Sequence, residues 1–322
     1  MKRTKSILFR LLCCAAMVSS AELLYAAEES QVTVEEFVKA RMERDRSKQR
    51  AVRENFGPLL SADPNRAFEA LAKYRSNPND EIRSEMLRCM MKVKARHTTP
   101  GLDQRLVRTL LELYVERYEE RGKLMRSEAL RYLPRFRKEY FDADAKALIR
   151  TAFREKRLSR DTLKLYSIAN MKEDLPELKK VFEAREWPPD DPEDEMWHAT
   201  LKWTFRRVMA QFGDEESIAY CVSRVANEKR PAVKAKAMLS LEEVRHPDVV
   251  RLMAKCLESD LRVDGGHGMS WPVSACAVQV LAAMLDNFPV KKKSAYPMHS
   301  ESETAKCRKW MAEQTEWKFR NP

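Results

Sequence analysis

Glycine is scarce in this chain, with seven residues in 322. Tight hairpins and phosphate-cradling loops need the positive-φ positions that glycine supplies. The shortage argues against an all-β fold and against a glycine-rich nucleotide site. Three of the seven, Gly265, Gly266 and Gly268, share one loop. No motif of the GxSxG, HExxH, P-loop or GxGxxG type is present. The five histidines, His97, His198, His246, His267 and His299, are scattered without partners at metal-ligand spacing. Cysteine is sparse too. Apart from Cys13 and Cys14 there are Cys89, Cys221, Cys256, Cys276 and Cys307, with no CxxC or Cys/His spacing that suggests zinc. These absences point away from an enzyme, and no cofactor or metal is expected.

What is present first is charge. Charged residues make up 34% of the chain and apolar ones 44%, the mixture of a helical protein with long solvated faces. Lys2, Arg3, Lys5 and Arg10 form a basic start, Leu11 to Val18 a short apolar run, and small residues follow. The run falls short of the roughly 20 residues a bilayer span requires. Residues 1–26 therefore read as a secretory signal, with cleavage after Ala21 or Ala26, leaving 27–322 as one helical repeat domain. The expected location is periplasmic or secreted, with no transmembrane span in the mature chain. Cleavage after Ala26 removes four basic groups and Glu22, so the net charge falls from +11 to +8. The remaining charges are interleaved, which reads first as solvated helix surface, and their net sign favours an anionic partner.

A repeat then emerges from helical spacing. Residues 82–93 read IRSEMLRCMMKV and residues 125–136 read MRSEALRYLPRF, sharing RSE-x-LR. The apolar positions are Ile82, Met86, Leu87, Met90 and Val93, then Met125, Ala129, Leu130, Leu133 and Phe136. Val233, Ala237, Met238, Leu241 and Val244 follow the same offsets, as do Val273, Ala277, Val278, Leu281 and Met284. Those offsets keep one stripe on one helix face. A fifth copy, Trp197, Leu201, Phe205 and Val208, is broken by Lys202. Second amphipathic helices lie between: Val107, Leu110, Leu111, Tyr114; Ala145, Leu148, Ile149, Ala152; Ile218, Cys221, Val222, Val225; and Val250, Met253, Ala254, Leu257. Pro100-Gly101, Asp142, Gly213-Asp214 and His246-Pro247-Asp248 supply turns and helix starts. The unit is helix A, turn, helix B, recurring every 35–45 residues or so. Residues 159–184 supply a further pair with a poor stripe, 33–55 with 63–75 an N-terminal pair, and 301–319 the last partner helix.

This pattern resembles the HEAT-repeat and armadillo-like α-solenoid family over most of residues 60–320. The stripes, the Asp-x-x-Arg-like start at Asp80–Arg83 and Pro247-Asp248-Val249-Val250 carry the resemblance. It implies an all-α fold, a right-handed α-α superhelix of about seven helix pairs with a concave binding surface. Variable spacing, the weak 159–184 unit and Pro134 inside an A helix depart from the family pattern. A proline there should kink its helix.

Several features are candidates for sites. The run Asp190-Asp191-Pro192-Glu193-Asp194-Glu195 is dense enough to collect calcium, but a solvated loop favouring the next helix N-terminus explains it better. The loop Asp264–Pro272 is a mobile ligand contact or, more simply, a longer turn with Trp271 packed at the joint. The B helices place Arg108, Lys146, Arg150, Lys180, Arg251 and Lys255 on a flank, where stacking would align them into a basic track interrupted by Glu112 and Ser223. Cys256 and Cys276 lie on consecutive helices and form a candidate disulfide. The resulting reading is an exported, non-enzymatic scaffold that binds a protein or another anionic polymer on its concave face. The alternatives are a nucleic-acid-binding enzyme resembling HEAT-like DNA glycosylases, against which the export signal argues, and a structural subunit of an envelope complex.

Overall fold

A computed structural model describes residues 36, 39–40, 64–96, 100–115, 123–154, 158–191, 193–264, 270–293 and 299–320. The expected signal at 1–26 and nearly all of the expected helix at 33–55 lie outside them. The described chain is mostly helical, and its residues form two compact units that part between Ala152 and Phe153.

The first unit contains α1 (Pro64–Ala72), α2 (Asp80–Arg96), α3 (Pro100–Val115), α4 (Lys123–Tyr132) and all but the end of α5 (Ala143–Arg154). Each helix forms because its apolar stripe has a neighbour to cover it. Helix α1 packs on α2, α2 on α4, and α3 on α4. Ile82, Met86, Leu87, Met90 and Val93 are buried, as are Met125, Ala129, Leu133 and Phe136, with Leu130 half-buried. The Asn79 side chain accepts from the Glu81 N–H at 2.8 Å to start α2, where Asp80 and Glu81 also suit the positive end of the helix. Lys94 reaches the fully buried Asp103 at 2.8 Å and sits 4.3 Å from the Phe136 ring centroid.

Pro134 ends its helix instead of kinking it. The α-helix stops at Tyr132 and tightens into a 3-10 turn over Leu133–Arg135, after which Phe136 is extended. Proline has no N–H to give an i−4 carbonyl, and its ring clashes there.

In the second unit, α6 (Arg160–Ile168) starts on a Ser159 cap, and α7 (Leu175–Glu183) follows a 3-10 turn. The weak segment 159–184 is thus a pair of short helices. Next come α8 (Leu201–Gln211), α9 (Glu215–Asn227), α10 (Pro231–Ser240), α11 (Pro247–Leu257), α12 (Val273–Met284) and α13 (Glu301–Glu313). Helix α8 starts four residues later than the Trp197 stripe suggests. Trp197–Ala199 is a 3-10 turn, and the Thr200 hydroxyl caps α8 by accepting from the Trp203 N–H at 3.1 Å. Gly213, at φ +94°, turns the chain into Asp214, the cap of α9.

Helix α12 is the centre of this unit. Eleven of its twelve residues are buried and none is charged, so it must be covered on every side. Helices α10, α11 and α13 and the extended segment Ser270–Pro272 do this. The loop before it is a small hairpin, with β1 (Arg262–Asp264) antiparallel to β2 (Ser270–Pro272) and Val263 opposite Trp271. Val263 and Trp271 pack against the core, so the aromatic sits at a joint as its position suggests. The hairpin tip, 265–269, is outside the described residues.

The last helix ends at Glu313, short of 319. Phe319 instead bridges Leu285, and the Arg320 N–H donates to the Met284 carbonyl at 2.8 Å. Thr315, Trp317 and Phe319 favour extended backbone, and here a neighbour supplies its hydrogen bonds.

One bond recurs at nearly fixed sequence separation. Arg108 of α3 grips Asp142, whose carboxylate caps α5 by accepting from the Ala145 N–H. Lys179 of α7 grips Asp214, which caps α9 through the Ser217 N–H. The separations are 34 and 35 residues. Burial works to raise both carboxyl pKa values, and the hydrogen bonds outweigh it and hold them below the ordinary aspartate range. Their stabilisation is therefore complete above the unfolded aspartate pKa and is lost as pH falls through the folded one. We expect Asp142→Ala and Asp214→Ala each to lower stability by about 1 kcal/mol at neutral pH, the usual worth of a cap. Arg108→Gln and Lys179→Gln, on exposed side chains, should cost less. Urea midpoints that reversed this order would show that the capping bond is not the stabilising element.

Candidate functional site

A cleft of about 580 Å³ lies in the second unit, between the end of α9 and the acidic loop that precedes α8. Tyr220, Ser223, Arg224 and Asn227 line one wall. Their spacing of three, four and seven places them on one face of α9. Glu228, Lys229 and Arg230 form the corner into α10, while Asp190 and Glu193 form the opposite rim.

The acidic loop is largely solvent-exposed, as expected, but its backbone is held by cations. Arg224 donates to the Asp191 carbonyl at 2.8 Å, and Arg230 donates to the carbonyls of Glu193 at 2.9 Å and Asp194 at 3.1 Å. The cations thus hold the backbone of the loop. Its carboxylates mostly brace the loop itself. Asp191 accepts from the Glu193 N–H at 2.8 Å, and Asp194 from the Met196 N–H at 2.7 Å. Asp190 faces the opposite wall, accepting from the Tyr220 hydroxyl at 3.0 Å and pairing with Lys202 at 3.0 Å. Burial pushes the Tyr220 phenol well above its ordinary range and the neighbouring Asp190 adds to this, so it stays protonated and donates to Asp190. The residue that broke the A-helix stripe, Lys202, is therefore an anchor for this loop.

At the corner, Arg230 forks onto Glu228 with contacts of 2.9 and 2.8 Å, and the Trp197 indole N–H donates to the same carboxylate at 2.8 Å. Arg224 lies 4.9 Å from the Trp197 ring centroid. The Arg230 hydrogen bond is the largest influence on Glu228; burial opposes it and Trp197 assists it, bringing the carboxyl down to about 2. Planar guanidinium and carboxylate match as two parallel bonds, which fixes direction as well as strength. Chemically, the cleft offers paired charges, a hydroxyl and an amide. Among the described residues no group of three or more His, Cys, Asp and Glu side chains is placed to hold a metal ion.

The six flank cations do not gather here. Arg108, Lys146 and Arg150 belong to the first unit, and Lys180, Arg251 and Lys255 to the second. Arg108 is committed to Asp142 and Asp144, and Arg251 to Asp248, with Trp317 beneath it at 5.9 Å. Lys146 and Arg150 are half-buried on α5, whereas Lys180 and Lys255 are exposed. Cys256 and Cys276 are buried on α11 and α12, which pack together, and both are free thiols. Burial pushes the Cys276 thiol up to about 12, against the Trp271 bond that lowers it. Sequence reasoning missed the Trp197–Glu228–Arg230 cluster, because nothing in residues 190–230 announces that the loop folds back onto the α9–α10 corner.

Comparison of the chain with protein-family models, curated proteins and solved structures gives no significant match.

Because the Glu228 carboxyl falls from an ordinary 4.5 to about 2 on folding, its stabilisation is full above roughly pH 4.5 and vanishes as pH drops through 2. Thermal melts of Glu228→Gln should lie below those of the wild type at neutral pH and converge with them in that window. Parallel curves across it would mean the Arg230 fork contributes nothing net. Arg230→Ala should also expose the backbone amides of residues 193–196 to faster hydrogen exchange.

Proposed function

We propose that this chain is an exported, non-enzymatic HEAT-like scaffold whose stacked helix pairs hold a protein or another anionic macromolecule. The observation that carries the reading is the repeated strut between successive B helices, Arg108 to Asp142 and Lys179 to Asp214, at separations of 34 and 35 residues. A bond that recurs at a fixed period between equivalent elements is what nearest-neighbour stacking requires. Packing supports the same reading within each unit. An A helix lies on an A helix in α2 with α4 and in α10 with α12, while B helices α9, α11 and α13 follow one another. Arg224, Glu228 and Arg230 of the cleft are tied up in holding the loop and the corner, which suits a rigid binding element better than a catalytic centre.

Export rests on the basic, apolar and small-residue order of residues 1–26. No described helix is long and apolar enough to cross a membrane.

Two measurements test the proposal. Small-angle scattering of the mature chain should give a radius of gyration clearly above the about 19 Å of a compact globule of this length; a value at that level would exclude a curved rod. Fractionation with N-terminal sequencing should find the chain outside the cytoplasm and starting after residue 21 or 26. A cytosolic chain with its N-terminus intact and strongly salt-dependent DNA binding would replace the scaffold with the nucleic-acid enzyme.

A further inference from the structure

The repeated RSE-x-LR segment builds a surface that the flank cations do not. Glu85 and Glu128 occupy equivalent positions of α2 and α4, and both are buried, at 7% and 8% exposure. Three residues on, the equivalent Arg88 and Arg131 are exposed, each facing its own glutamate. The helices pack on each other, so the glutamates lie inward and the arginines outward on one side of the first unit.

Tyr132, buried at 5% exposure, gathers the cations. The Arg131 and Arg135 guanidiniums lie 5.6 and 5.1 Å from its ring centroid. Arg88 is also close enough to oppose the rise in its phenol pKa that burial causes and Glu128 adds to. Stacking on an aromatic face holds a guanidinium plane without using its N–H donors. Those donors are little used elsewhere. Arg131 stands 3.6 Å from Glu128, beyond hydrogen-bond reach, and Arg88 makes one long contact of 3.3 Å to Glu85. Among the described residues Arg135 has no ion pair. Two forks held over one ring, with Arg88 exposed on the neighbouring helix, match carboxylates in bidentate fashion.

We infer that Arg131 and Arg135, held over Tyr132, together with Arg88 on the packed neighbour α2, form on this side of the first unit a docking surface for a short carboxylate-rich segment of a protein partner. The inference rests on the scaffold reading and gives it a site and a partner chemistry. A short segment fits better than a long polyanion. The positions equivalent to Arg88 and Arg131 in the later A-helix copies are Trp203, Leu239 and Gln279, so the arginine pair does not continue into an extended track.

The test is fluorescence anisotropy of the mature chain with a labelled glutamate-rich decapeptide, its all-glutamine counterpart and a heparin oligosaccharide, at low and moderate salt. The acidic peptide should bind, the glutamine peptide should not, and Arg131→Glu/Arg135→Glu should weaken binding at least about tenfold. Because both side chains are exposed, the melting temperature should hold. Arg131→Gln/Arg135→Gln, which adds no repulsion, should show a smaller loss and guards against misfolding of the reversal. Less than about twofold change in a folded double variant, or heparin binding more tightly than the peptide, would overturn the inference. Crosslinking from the native envelope separates the two levels. A partner retained equally by wild type and the double reversal removes this surface and leaves the scaffold. An arginine-dependent peptide site with no native partner sustains the surface and removes the scaffold.

Discussion

An amphipathic helix cannot cover its own apolar stripe, and that constraint shapes both units. In the second unit it is most severe at α12, which has almost no polar face and is enclosed by α10, α11, α13 and β2. The elements around it follow from this enclosure. The hairpin before α12 exists to bring Val263 and Trp271 against the core, and the extended tail after α13 returns past Leu285 to cover its end. Burial at about 25 cal/mol per Å² of apolar surface drives such packing without specifying direction. Direction comes from the polar bonds at helix ends, where Asp142 and Asp214 each satisfy an orphan N–H of one helix while being held by a cation from another.

Those bonds change the meaning of the chain's positive charge. Interleaved cations look interchangeable in sequence, yet the structure sorts them by task. Arg206 lies between the rings of Phe182 and Tyr220, at 4.4 and 5.4 Å, and pairs with Glu216. Arg224 and Arg230 hold a loop by its carbonyls. Arg108 and Lys179 are struts. A net charge of +11 therefore overstates the cation available to a partner. What matters is which cations keep open donors on a solvated face, and charge count along the sequence does not report that.

Much of the fold was legible because helical periodicity reports burial directly. The stripes beginning at Ile82, Met125, Val233 and Val273 are buried nearly throughout, and Asp142, Asp214 and His246 cap the helices expected of them. The misses share a physical origin in tertiary context. Pro134 reads as a kink until one sees that Phe136 is needed on the core in extended geometry. The stripe at Trp197 is correct about burial but wrong about helix start, since a 3-10 turn also buries its first residue. Composition describes the acidic loop only as charge, whereas its fate is decided by arginines 33 and 37 residues later that bind backbone oxygens, a contact with no sequence signature.

The candidate surfaces were less legible for a related reason. A repeat motif is usually read for its apolar positions, and its polar positions are assigned to solvent. In RSE-x-LR the polar positions divide, because a glutamate and the arginine three residues on sit on adjoining parts of the helix surface. When α2 packs on α4 the glutamate side is covered and the arginine side is not. Burying a carboxylate beside a cation keeps the ion pair while hiding the negative half from solvent. The surface is then more positive than the sequence is, although each repeat contributes one charge of each sign. The same geometry explains why the effect fades further along the chain. Where the equivalent positions are Lys236 and Leu239, or Cys276 and Gln279, no acid is hidden and no arginine is presented, and Gln279 instead binds the backbone of Lys293 and the His299 ring.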